Sequence, residues 1–155
     1  MRKITHIIVH CSGAANSTVD SIRRFHKAPK PKGNGWKDIG YHYVIHVDGT
    51  SHMGRSERQA GAHVASFNAN TIGVCVVGNG DIRDFNAAQY ATLTRLLACL
   101  CAQYGVPVKN VLGHRETREL EQIPPKSRTK KSCPGTQVSM ELIRKRLALA
   151  EIANV

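Results

Sequence analysis

Apolar positions in this chain follow two periods, and the segments that carry them alternate. Ile4 to His10 is apolar on both faces, with Ile7 and Val9 on one and Ile8 on the other. That pattern predicts a strand inside a sheet, with His10 at its end. Thr18 to Lys27 has helical spacing: Val19, Ile22 and Phe25 or His26 form a stripe, and Ser17 or Thr18 caps it. Pro29 and Pro31 stop that helix. Gly40 to Val47 reads as a second strand, turned by Asp48-Gly49 into Thr50 to Met53 as a hairpin. Thr71 to Val77 is another buried strand, closed by Gly78-Asn79-Gly80.

The next helix has the best-marked ends. Asn86 and Gln89 form a capping box, and Phe85 and Tyr90 stand at the positions of a hydrophobic staple. Tyr90, Leu93, Leu97, Leu100 and Tyr104 share a face with Leu96 beside it, and Gly105 then Pro107 end the run. Val108 to Leu112 predicts a short strand delivering Gly113-His114-Arg115-Glu116. A polar loop from Thr117 to Ser132 follows. A last helix from about Ser139 to Ala150 turns Met140, Ile143, Leu147 and Ala150 inward. Strand and helix patterns in alternation predict an α/β fold. With 155 residues, no repeat and no linker, the expectation is a single domain over 1–155.

Composition narrows the class. No stretch approaches the roughly 18 apolar residues of a membrane span, so no membrane anchor is expected. Met1-Arg2-Lys3 has the charge of a signal peptide, but Ile4 to Val9 is too short and contains His6. Synthesis in a bacterial-type cytoplasm is expected, with any export by another route. Five cysteines without an export signal are expected to be reduced. Cys75, Cys99 and Cys101 sit in apolar runs and read as small buried hydrophobes. The net charge of +11 attracts polyanions without choosing among nucleic acid, wall polymers and anionic lipid.

Candidate chemistry gathers around Arg128 to Gly135. Lys131 and Cys133 are two apart, so in an extended loop both face one spot, and Pro134-Gly135 stiffens the turn after the sulfur. Two imidazoles and a thiolate make a tetrahedral site that suits Zn²⁺, and three protein ligands leave a fourth position open, as in catalytic sites. His10, His114 and Cys133 form such a set, though spacing alone does not single them out among eight histidines. His6 shares a face with His10 and reads as structural. Trp36, the only tryptophan, lies in a basic loop and is either a lid over the core or a ligand platform.

The segments Ile8-Val9-His10-Cys11-Ser12, Gly40-Tyr41-His42-Tyr43, Asp48-Gly49-Thr50, Gly61-Ala62-His63, Asn70-Thr71-Ile72-Gly73-Val74-Cys75, Gly113-His114-Arg115-Glu116 and Lys131-Ser132-Cys133-Pro134 occur in a telling order. Together they resemble the zinc-dependent N-acetylmuramoyl-L-alanine amidases of the type-2 amidase and peptidoglycan-recognition-protein family, small phage endolysins above all. The resemblance runs from about Ile4 to the last helix. It implies a central mixed β-sheet flanked by helices, with the zinc site in a groove at the sheet edge. It implies His10, His114 and Cys133 as zinc ligands and Tyr41 and Lys131 as catalytic residues. His63 corresponds to a groove-lining histidine, and as a ligand platform Trp36 joins it in substrate binding.

The implied reaction is metal-assisted hydrolysis of the amide joining N-acetylmuramic acid to L-alanine. Lys131 would stabilise the oxyanion, as a cation or as a proton donor, and Tyr41 would orient water or relay a proton. Two features depart from the family pattern. Val74, Cys75 and Val76 stand where some cytoplasmic branches carry a glutamate, which favours the tyrosine-using branch. The loop before Cys133 is longer than in the shortest phage enzymes and basic, with Lys126, Arg128, Lys130 and Lys131, and is expected to work at the groove.

The leading expectation is therefore a monomeric phage or prophage endolysin, waiting in the cytoplasm and reaching the anionic wall through a separate pore. A muropeptide-recycling amidase would share the chemistry. A non-catalytic peptidoglycan-binding protein is a further reading, against which Cys133, Tyr41 and Lys131 all stand. A nucleic-acid or phage RNA polymerase partner is the last. Lys27, Lys30, Lys32 and Lys37 offer it a basic face, but no helix-turn-helix, RNA-binding signature or spaced aromatics accompany them.

Overall fold

Strand β1 (His6–Cys11) lies inside a five-stranded sheet of order β3-β2-β4-β1-β5. The computed structural model describes residues 1–153. The other strands are β2 (Tyr43–Ile45), β3 (Ser51–Met53), β4 (Thr71–Val76) and β5 (Val111–Gly113). All pairings are parallel except β2 with β3, so the sheet is mixed. Helices α1 (Val19–Lys27), α2 (Ala87–Tyr104) and α3 (Met140–Ala153) flank it.

Strand register decides what each face carries. Ile7 and Val9 pair beside Ile72 and Val74, and these side chains pack against Leu93, Leu97 and Leu100 of α2 and Ile143 and Leu147 of α3. Over β4 and β1 this face is closed and apolar, while toward β3 it opens, where Met53 opposite Tyr43 is 68% exposed. Each fully buried leucine there contributes about 1.5–3 kcal/mol by leaving water. The opposite face is divided. Val44 and Cys75 lie under Val19 and Ile22 of α1, while Ile8 lies under Val64, Phe67 and Ile123 from loops. His10, on the Ile8 face and opposite Cys75 in register, stands between the two halves.

The helix ends agree with the sequence. Thr18 caps α1 in a box with Ser21, and Asn86 caps α2 in a box with Gln89. The Phe85 and Tyr90 rings are 5.5 Å apart. Gly105 terminates α2 in the left-handed region (φ 67). In α1 the stripe is completed by buried His26, and Phe25 is turned outward.

Several expectations change. The second strand shrinks to Tyr43–Ile45, because the Gly73 N–H donates to His42 Nδ1 (3.0 Å) instead of a strand carbonyl. An imidazole thus replaces one rung of the ladder. Val108–Asn110 is a 3-10 turn, and pairing with β1 begins only at Val111. Cys99 is exposed while Cys75 and Cys101 are buried. One of two residues spaced by two on a helix must leave the apolar face. The last helix runs on to Ala153, with Leu142 N–H donating to Ser139 Oγ (3.1 Å) at its start.

Candidate metal centre and groove

Three chain segments converge beside β1. His10 is the penultimate residue of β1, His114 follows β5, an edge strand, and Cys133 comes from the long loop. One ligand atom of each lies within 4.8 Å of the others. His10 Nδ1 is 3.6 Å from Cys133 Sγ, and the His10 and His114 ring centroids are 4.8 Å apart. The backbone N–H of Cys11 donates to the Cys133 sulfur at 3.4 Å.

The Cys133 loop is held by its surroundings. The Arg115 backbone N–H donates to the Cys133 carbonyl (2.7 Å), and its guanidinium donates to the carbonyls of Ser132, Gly135 and Val138. Asp81 accepts from Ser132 Oγ (2.7 Å) and from the Thr136 N–H (2.9 Å). At the His114 corner, Glu116 accepts from the Gly113 N–H (2.8 Å) and pairs through both oxygens with Arg144 of α3.

Electrostatics suit a cation. Burial, then the neighbouring His63, His114 and Lys131, hold His10 well below the usual histidine range. Burial, with Lys131 and Arg118 beside it, draws His114 down to about 4. Both imidazoles are neutral at pH 7 and keep a lone pair for a ligand bond. The neighbouring Cys11 and Cys133 thiols push each other apart, Cys11 held below its ordinary value by Cys133 and Cys133 raised by Cys11 and by burial. A cation between His10, His114 and Cys133 would reverse that order, because it deprotonates the sulfur it touches. Two neutral imidazoles and a sulfur at this spacing fit zinc, with coordination room to spare.

A groove of about 1040 Å³ opens over these residues, between α1 and the Cys133 loop. Tyr41 lines it, with its ring 5.0 Å from that of His10. Burial pushes the Tyr41 phenol well above its ordinary value, so it remains protonated. Lys130 and the exposed Lys131 form part of the wall. The long loop therefore reaches the groove at its C-terminal end, while Ile123 pins its middle to the core over Ile8. Trp36 stands on the rim, 37% exposed, with its ring edge-on to His26. Phe25, 55% exposed, lines the same groove. Its helical spacing marks Phe25 only as a stripe residue, and the signal for a groove role is an aromatic beside a buried histidine. His63 contributes only an edge, since it is 9% exposed and both ring nitrogens meet protein partners.

The model of the N-acetylmuramoyl-L-alanine amidase family matches residues 1–136. The chain belongs to that family. The matched span takes in every groove residue named above and leaves out only α3 and the residues around it. The endolysin of Escherichia phage T7 is 42% identical to the amidase chain over 106 residues, 63% of this chain and 67% of the relative. That of Klebsiella phage KP32 is 38% identical over 112 residues, 66% of this chain and 70% of the relative. Among solved structures, the amidase LysC from Clostridium intestinale URNW superposes with a TM-score of 0.78 at 26% identity, covering 95% of this chain and 87% of that one.

Proposed function

We propose that this chain is a zinc-dependent endolysin that cleaves the amide between N-acetylmuramic acid and L-alanine in peptidoglycan. Membership of the amidase family and the endolysin relatives support the bond and the substrate. The observation that carries the metal reading is the convergence of His10, His114 and Cys133 ligand atoms within 4.8 Å at the groove floor. Bound there, zinc supplies a Lewis acid and lowers the pKa of water.

The chain's own residues supply the rest. Lys131 presents positive charge to the carbonyl oxygen as negative charge develops on it. Tyr41, kept protonated by burial, orients water by hydrogen bonding and is a poor base. Phe25 and Trp36 give the rim apolar faces against which a sugar ring can lie. Residues 1–155 act as one catalytic domain and as a monomer, made in the cytoplasm and released to the wall through a separate pore.

The test is product analysis on purified peptidoglycan, comparing zinc-loaded wild type with Cys133→Ser. Wild type is expected to release new L-alanine amino termini and the variant none. If neither protein releases them while both sediment with the wall, the chain binds peptidoglycan without cutting it.

A further inference from the structure

We propose that His63 is a positioning residue for the metal centre. Its Nδ1 accepts a hydrogen bond from His10 Nε2–H and so fixes His10 in the tautomer whose Nδ1 lone pair faces His114 and Cys133. The inference rests on the zinc reading above and adds a residue to it.

The direction of every bond in this chain follows from its far end. The Thr71 hydroxyl lies 2.8 Å from the Phe67 carbonyl oxygen, which can only accept. Thr71 has one proton and spends it there. Toward His63 Nε2, 3.2 Å away, Thr71 Oγ1 therefore accepts, so Nε2 carries the His63 proton. His63 Nδ1 is then a lone pair, and at 2.9 Å it meets His10 Nε2, which must be the donor. A neutral His10 protonated at Nε2 has its free lone pair at Nδ1, the nitrogen 3.6 Å from Cys133 Sγ. This pattern of donors and acceptors holds with both rings neutral. They are 2% and 9% exposed, and among the described residues no carboxylate hydrogen-bonds to either ring, so a charge there would be poorly compensated.

The slot for His63 is built to hold one ring position. A Cβ on Gly73 of β4 would stand 2.7 Å from His63 Cγ, and one on Gly61 would stand 2.7 Å from Cδ2. Asn68 Oδ1 accepts from both the His63 and Val64 N–H groups at 2.9 Å, which fixes the backbone that presents the ring. A ligand histidine held through its second nitrogen has its tautomer and ring plane set before a metal arrives, and losing such a partner typically costs 10–100-fold in affinity.

The test uses the whole chain and two readouts. Nitrogen-15 spectra of the zinc-free protein report the imidazole tautomers directly, and protons at Nε2 of both His10 and His63 are expected. A His10 proton at Nδ1 overturns the proposal. Zinc affinity is then measured by competition with a chromophoric chelator. His63→Leu fills the slot without an acceptor and is expected to lose about 10–100-fold. His63→Asn sets an amide oxygen where Nδ1 was and is expected to recover most of that loss. Equal losses in the two variants, with thermal melts showing both folded, overturn the positioning role while leaving the metal reading intact. A wild-type chain that takes up no zinc overturns the metal reading, and this proposal with it.

Discussion

Lys131 and Tyr41 share the groove wall with the ligand set, and they should fail differently when changed. In the proposed reaction, Lys131→Met removes a charge needed mainly in the transition state. The expected result is a fall in kcat of about 10²–10³ with KM little altered, read from initial rates on soluble muropeptides. Tyr41→Phe removes an orienting hydroxyl and should cost less, on the order of tenfold to a hundredfold, with zinc content unchanged. Equal loss of bound zinc in both variants would count against these roles. The pairing of Lys131 with Cys133 was legible in the sequence, because residues two apart in an extended loop share a side whatever the fold. The hydrogen bond from His10 to His63 was not. It depends on Gly73 and Gly61 leaving room for a ring from elsewhere, and a glycine in a sequence does not say what fills the space beside it.

At the scale of elements, the helix ends and the loop carrying Cys133 are held by hydrogen bonds of different reach. Asn86→Ala breaks the reciprocal cap of α2 and should lower stability by about 1 kcal/mol in urea unfolding. Arg115→Ala should cost more, roughly 2–4 kcal/mol, because it leaves the carbonyls of Ser132, Gly135 and Val138 without their charged donor. It should also weaken zinc binding, which a cap mutation far from the groove should not do. Local bonds of the first kind write themselves into the sequence, which is why α2 was read with its caps. The shortened β2 was hidden, since a side chain of that very segment, His42, takes the place of a backbone acceptor. The turn at Val108–Asn110 was hidden too, because its apolar residue suits a strand equally well.

Across the whole molecule, buried histidines make the fold sensitive to mild acid. Burial lowers His26 and His42 below the ordinary 6.5, and both accept a backbone N–H, from Gly40 and Gly73 respectively. The fold holds them neutral, so below about pH 6.5 the unfolded chain binds more protons and stability falls with pH. Chelator-treated protein should show a urea midpoint that drops steadily from pH 7 to 5, above the range where carboxylates titrate. A flat midpoint over that window would mean the rings gain protons without unfolding. The sidedness of the sheet was legible from the alternation in β1, whereas the division of its second face was not, because unpatterned loops cover half of it.

His10 and Cys133 touch across a sequence separation of 123 residues. A cation gripping both is, in polymer terms, a cross-link that ties the first strand to the loop before the last helix. Closing so long a loop removes freedom from the unfolded chain worth about 5 kcal/mol in the chain-entropy model. Zinc removal should therefore lower Tm by several degrees, even in Lys131→Met, where the reaction is impaired but the cross-link remains.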